Sequence, residues 1–439
     1  MCYKKYKKKN THRSNHCIFR CNPQHPYRTE RLMSRPLLIA IIWACTCLNG
    51  CMWTETEDSP DFLPLDDSEY PYAGIPRLVI ETTNFAQVRD KETKIPAKMQ
   101  IYGKIGPESD VIDLTIKGRG NSSIGMSKYS MKIKFPEKRE MFGMPADKEW
   151  ALISNHADKT LLRNYMTFNL ARNLQMNFVP KCAFVEVYLN RDYMGVYLLT
   201  ETIKVSSARL NIPQDGKNYL VEVDAYHDNK DTVIHTANKL PLKIHFPKAC
   251  DNSCQQPLKS FMDQWEKFIQ KKFQYDSLAM HWIDTQDYSA YYWIEEFSKN
   301  TDSNLKTSVF FTWERNGKMK MGPVWDFDLS YGEYKNYSPQ NWYSRTNAWN
   351  SHLFKNGQFK QEVSAYWKEH RTTFLSMADS LDHYEKFISK AAKNNFKRWP
   401  VLETTFLWEF NQSYDTHAEA VDSLKSWMKQ RIRWIDGAQ

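Results

Sequence analysis

Beyond its first 50 residues the sequence lacks any excess of charge. Ten of its 60 Lys and Arg and one of its 51 Asp and Glu lie in residues 1–50, so the remainder carries 50 of each. A neutral body has no basic footprint for nucleic acid, which is therefore not expected as a partner. Internal repeats and low-complexity tracts are missing too. Cysteine is scarce: of nine, Cys2, Cys17, Cys21, Cys45 and Cys47 lie in the leader and Cys51 directly after it, leaving Cys182, Cys250 and Cys254. That leaves no four spaced ligands for a zinc site. Nor is there a long hydrophobic run, since residues 36–48 are too few to span a bilayer comfortably.

What those 13 residues do match is the apolar segment of a signal peptide. Met33-Ser-Arg35 before them makes a short basic start, so residues 1–32 read as an over-long beginning. Leu48-Asn-Gly-Cys51 then places a small residue directly before a cysteine, as in a lipoprotein signal that leaves Cys51 acylated. The expectation is an exported protein, lipid-anchored to a bacterial cell envelope membrane through Cys51. Export permits a disulfide, and Cys250-Asp-Asn-Ser-Cys254 in a polar stretch is expected to close one. Cys182, which opens an apolar strand, is expected to be a buried free thiol.

The 439 residues are 41% hydrophobic and 14% aromatic, enough for a sizeable core. Residues 51–76, acidic and broken by Pro60, Pro64, Pro71 and Pro76, read as a flexible tether. Short strands are expected at Leu78–Ile80, 97–102, 111–116, Cys182–Leu189, Met194–Thr200 and Tyr219–Val223. A helix is expected over 158–171, capped by Asp158 or Thr160. After Pro257 amphipathic helices are expected over 257–272, 284–299, much of 359–396 and 416–435. Between them, strands over 308–313 and 318–324 flank Asn316-Gly317, the strongest hairpin signal in the chain. The fold class expected is α+β and bilobal: a β-rich lobe over 77–224 and a mainly helical lobe over 225–439.

Chemistry concentrates in Gly322-Pro-Val-Trp-Asp-Phe-Asp-Leu-Ser-Tyr-Gly332. Asp326 and Asp328 leave the end of the hairpin two residues apart, where they can bracket a hard cation. An Asp-x-Asp pair also suits a solvated turn, so context decides. Asp302 supplies the context. It follows a helix and precedes the hairpin whose far end delivers Asp326, the order in which kinases place a base and a metal-binding Asp. In the first lobe, Arg119, Gly120, Asn121 and Ser122 form a glycine-bearing loop able to lay N–H groups and a guanidinium on phosphates. Lys128, Lys132 and Lys134 follow on a strand at period two, where one buried lysine could reach a phosphate. Arg163 could clamp a phosphate or brace the lobe.

Five motifs in order over about residues 77–335 together resemble the CotH kinase family, named for spore coat protein H. They are Lys117-Gly-Arg-Gly-Asn-Ser-Ser123 with its basic strand, 155–164 (Asn155 to Asn164), 187–201 (Val187 to Glu201), Tyr219-Leu-Val-Glu-Val-Asp224 and 323–332. The resemblance implies an atypical kinase-like fold that transfers the γ-phosphate of ATP, with Mg²⁺ or Mn²⁺, to Ser or Thr of a protein substrate. It implies Asp302 as catalytic base and Asp326 and Asp328 as metal ligands; the candidate nucleotide-binding residues beside them are Arg119, Gly120, Asn121, Ser122, Lys128, Lys132, Arg163 and Glu222. Many members carry an Asn a few residues after the base. Here the stretch reads Ser303-Asn-Leu-Lys-Thr-Ser308, which puts Asn304 early and Thr307 near the expected place.

Two other classes share parts of this pattern. A catalytically weak kinase fold kept as a binding module could use Tyr334, Tyr337, Trp342, Tyr343 and Trp349 to stack on a glycan or protein. A metal-dependent hydrolase or glycosyltransferase would use Asp326 and Asp328 without needing Asp302 or the glycine-bearing loop. Nucleotide binding separates them.

Overall fold

Alternation of apolar and polar residues closes a barrel. In the computed structural model, which describes residues 62–334, 338–404 and 412–439, seven strands run β1 (Arg77–Thr82), β2 (Ile95–Tyr102), β3 (Ile112–Gly118), β4 (Met131–Met141), β5 (Met144–Ile153), β6 (Cys182–Leu189) and β7 (Asp192–Glu201). They are ordered β1-β2-β3-β4-β5-β7-β6, and β6 returns to β1 in parallel. Leu114, Ile116, Met131, Ile133, Trp150, Leu152, Val187 and Leu199 fill the interior. Because side chains alternate along a strand, Lys132 and Lys134, which neighbour Ile133, must point outward. Both lie against Glu149 of β5, at 2.8 and 3.4 Å.

A second sheet begins where the first lobe was expected to end. Strands β8 (Asn218–Val223), β9 (Val233–His235), β10 (Pro241–Phe246), β11 (Val309–Glu314) and β12 (Met319–Met321) are ordered β12-β11-β8-β10-β9. β8 pairs with β10 and β11, so the expected division at Asp224 runs through this sheet. Asn316 takes a left-handed φ of +68° and the Gly317 N–H reaches the Glu314 carbonyl at 2.8 Å, closing the β11–β12 hairpin as its Asn-Gly suggested.

The helices are α1 (Arg163–Asn173), α2 (Asn252–Gln270), α3 (Tyr275–His281), α4 (Thr285–Ser298), α5 (Asn350–Leu353), α6 (Gly357–Asp379), α7 (Leu381–Arg398) and α8 (His417–Ala438). α1 starts later than expected because Asp158 caps a turn first: its carboxylate takes the N–H groups of Thr160 at 2.9 Å and Arg163 at 2.8 Å. The stretch 359–396 divides at Ser380 into α6 and α7. α4 is buried on every side from Tyr288 to Ser298. Such a helix can hold its neighbours rigidly.

Part of the expected tether is packed. Phe62, Leu65 and Tyr70 lie on Val79, Tyr102, Tyr188 and Tyr193 of the barrel, and Tyr70 stacks on Tyr193 at 4.2 Å. Cys250 and Cys254 are joined as a disulfide. Cys182 is a half-buried free thiol whose pKa burial pushes up to about 12. Of the aromatic residues that a binding module could use, Trp349 is buried in the core, Trp342 packs partly buried against Trp293 and Trp434, and Tyr334 lines the cleft described below. Tyr337 lies outside the described residues, as do the leader and Cys51. Among the described residues, no helix is long and apolar enough to cross a membrane.

Candidate active site

The β11–β12 hairpin brings its two ends to one cleft of about 620 Å³. The loop after α4 delivers Asp302 on the way into β11, and the segment after β12 delivers Asp326 and Asp328. Across the cleft stand Arg119, Gly120, Asn121 and Ser122, which follow β3, and Glu222 comes from β8. Eight of the eleven residues expected at the site thus meet at this cleft.

The segment carrying Asp326 is held in a conformation that costs free energy. Asp326 has a φ of +68°, a left-handed backbone that a non-glycine residue keeps only when its surroundings impose it. Two buried amides do so. Asn300 Nδ2 donates to the Asp326 carbonyl at 3.2 Å, and Asn164 Oδ1 accepts the N–H of Phe327 at 2.8 Å. Asn164 is in turn held by Asn155 at 3.0 Å. Arg163, also buried, donates Nε to the Ser330 carbonyl at 3.0 Å and pairs with Glu333 at 2.7 Å and Asp158 at 2.5 Å. The 155–164 motif therefore builds the back of the Asp326–Asp328 segment. Arg163 braces this loop and does not line the cleft.

Two other expected site residues lie elsewhere. Lys128 precedes β4 and is wholly buried, its Nζ donating to the Val196 carbonyl and, at 2.8 Å, to Asn395 Oδ1 of α7. It ties the barrel to a helix, and burial pulls its pKa well down. Lys132 stays on the barrel's outer face with Glu149. Period two predicted a shared face for all three lysines, but Lys128 falls outside the strand where that rule applies.

Carboxylates crowd the cleft floor. Burial raises the pKa of Asp326, opposed by Arg119 and by a 3.2 Å hydrogen bond from Ser308 Oγ. Asp328 is raised well above the ordinary range by burial, then by Asp326, Asp302 and Asp158. Arg119 is lowered by burial and supported by Asp326 and Glu222. Mutual repulsion of this kind is what a divalent cation relieves. Among the described residues no three His, Cys, Asp or Glu side chains converge as a ready-made cage. Two carboxylates without a cage fit Mg²⁺, which keeps water and phosphate oxygens in its shell, better than they fit zinc.

Sequence reading missed the sheet wall. His245 Nε2 lies 2.6 Å from Glu222 Oε2, and Lys243 Nζ sits 2.8 Å from Asp231 and 3.6 Å from Asp224. Lys243 lies opposite Glu222 of β8 and His245 sits at the irregularity just beyond, a signal available only once β10 is read as a strand. Thr307, near the expected second-metal place, lines the cleft and donates to Asp224 at 3.2 Å. Asn304 turns away into a small enclosed cavity beside Glu295.

No curated protein matches the chain. The sequence profile described as CotH kinase protein matches residues 116–435, from within β3 through most of α8. That stretch contains the glycine-bearing loop, the hairpin and all three cleft aspartates, and it covers most of the 439 residues; the chain belongs to the CotH kinase protein family.

Proposed function

We propose that the chain is a bilobal, metal-dependent kinase that transfers the γ-phosphoryl group of ATP to a Ser or Thr hydroxyl of a protein. The supporting observation is the meeting of Asp302 with Asp326 and Asp328 at the two ends of one hairpin, facing Arg119 and its glycine-bearing loop. Arg119 and the N–H groups of residues 120–122 bind phosphate oxygens, and Glu222 orients Arg119. Asp326 and Asp328 hold Mg²⁺ or Mn²⁺, which supplies charge neutralisation on the transferred group. Asp302 aligns the acceptor hydroxyl and takes its proton. The acceptor oxygen bonds to the γ-phosphorus as the bond from that phosphorus to the bridging oxygen breaks, and ADP leaves.

Calorimetry and ADP release with ATP and Mg²⁺ or Mn²⁺ test this reading on the full chain. Asp326→Asn is expected to lose metal-dependent binding and turnover together. Asp302→Asn is expected to keep the nucleotide dissociation constant and lower the rate by roughly two to four powers of ten. Equal turnover by wild type and both variants overturns the assignment, and an unfolded Asp326→Asn makes that carboxylate structural. Absence of nucleotide binding under any metal supports a binding module instead.

We also propose, on the Leu48-Asn-Gly-Cys51 signal alone, that the protein is exported and lipid-anchored to a bacterial cell envelope membrane through Cys51. Metabolic lipid labelling tests that part: Cys51→Ala is expected to lose the label and leave the membrane fraction. Retention of both overturns it.

A further inference from the structure

The loop that carries Asp302 is strained along its length. Lys299, Asn304, Leu305 and Ser308 have φ values of +46°, +24°, +60° and +56°, four left-handed non-glycine residues within ten. Backbone of this kind persists only where its surroundings over-determine it. Lys299 is pinned through its Nζ to the carbonyls of Ser338 and Gln340, at 2.8 and 2.7 Å. The middle of the loop has a different anchor. Ser303, next to Asp302, is buried and is the hub of the turn: its Oγ accepts the Asn304 N–H at 2.7 Å and its carbonyl accepts those of Lys306 and Thr307, at 2.5 and 3.4 Å. The same Oγ donates to Glu295 Oε2 at 2.5 Å.

Glu295 lies in the last turn of α4, which is buried all round from Tyr288, and is itself only 5% exposed. A carboxylate in such a place is expensive unless it does something. Its partners are Ser303 and Tyr291. It touches the small cavity, about 20 Å³, into which Asn304 turns, and does not line the cleft.

We infer that Glu295 is a positioning residue: through Ser303 it clamps the strained 299–308 loop to α4 and so sets where the Asp302 carboxylate points. The role given to Asp302 rests on the phosphoryl-transfer reading; the clamp itself does not. Other contacts hold the ends of the loop, from Asn300 to Asp326 and from Thr307 and Ser308 to Asp224 and Asp326, whereas the turn directly after Asp302 closes on Ser303.

The test uses the full chain with Glu295→Ala, Glu295→Gln and Ser303→Ala, and reads two things. Hydrogen exchange without nucleotide is expected to speed up at amides 302–307 in Glu295→Ala and Ser303→Ala, with the barrel unchanged. Glu295→Gln, whose amide oxygen still accepts from Ser303, is expected to stay close to wild type. Calorimetry with Mg²⁺-ATP is expected to give dissociation constants within about twofold, while ADP release falls roughly tenfold to a hundredfold in the two Ala variants, as a misplaced base requires. Unchanged exchange over 302–307 in both Ala variants overturns the clamp. Faster exchange with undiminished ADP release overturns its positioning role. A uniform loss of melting temperature and exchange protection in all three variants reduces Glu295 to a core residue and overturns the proposal. If the wild type releases no ADP while loop exchange responds as expected, the clamp stands and the kinase reading falls.

Discussion

Two charged stretches both supplied site candidates in the sequence and turned out differently: 128–134 with its three lysines, and 326–328 with its two aspartates. In the first, every cation has a structural partner. Lys128 bridges to α7, and Lys132 and Lys134 share Glu149. In the second, like charges are pressed together on a backbone that left-handed φ makes costly. The difference separates scaffold from site. A charge that a fold needs is paired, whereas a site keeps unrelieved charge and strain for something still to bind.

The largest effect is expected from breaking the support of the second stretch. Arg163 is buried between Asp158 and Glu333 and also holds the Ser330 carbonyl. Arg163→Ala leaves two buried carboxylates without their cation, at a cost of roughly 3–5 kcal/mol. Melting followed by circular dichroism is expected to show a large drop, together with lost nucleotide binding as the Asp326 segment loosens. A normal melting temperature with only binding lost would make Arg163 a phosphate clamp after all.

A middle-sized effect sharpens the comparison through pH. Burial pushes the Glu295 carboxyl up to about 7, against hydrogen bonds from Ser303 and Tyr291. A raised carboxyl pKa means that the folded state holds the proton more tightly than the unfolded chain does. Its contribution is fully present below about pH 4.5 and is lost as pH rises toward 7. On the order of 3–4 kcal/mol is at stake between about pH 4.5 and 7, since each unit is worth about 1.4 kcal/mol. Urea unfolding at pH 5 and pH 8 is expected to show Glu295→Gln gaining on wild type at the higher pH. An equal difference at both values would show that Glu295 does not titrate in that window.

Much of this was legible beforehand, and the failures have physical causes. The hairpin was readable because Asn-Gly demands one turn type, and the order Asp302, hairpin, Asp326 followed from it. Strand β6 was readable to the residue from its apolar run. Strands β9 and β10 were not, because β10 mixes Lys243 and His245 into a short segment between loops. The sheet that spans residue 224 was not readable for the same reason, since β8 reveals its partners only through β10 and β11. Arg163 and Asn164 carried a recognisable motif, yet nothing local says that their side chains face a loop more than 160 residues away. Buried amide and guanidinium contacts are long-range, and no periodicity encodes them.

The smallest effect comes from the first stretch and is most informative when paired with the second. Lys132 and Glu149 are partly exposed, a kind of ion pair usually worth under about 1 kcal/mol. Lys134 remains beside Glu149 after Lys132 is removed, so Lys132→Ala is expected to shift the melting temperature slightly and the nucleotide dissociation constant not at all. Arg119 differs in place, not in charge. It stands at the cleft between Asp326 and Glu222, over the face of Trp325 at 5.2 Å, whereas Lys132 lies against Glu149 on the barrel's outer face. A charge-assisted hydrogen bond to phosphate contributes roughly 1.5–3 kcal/mol, so Arg119→Ala is expected to weaken ATP binding by about tenfold to a hundredfold. Calorimetry on both variants decides it. Equal weakening by the two would mean that the outer-face lysines reach the nucleotide, and the distinction between paired scaffold charge and unrelieved site charge would fail for this protein.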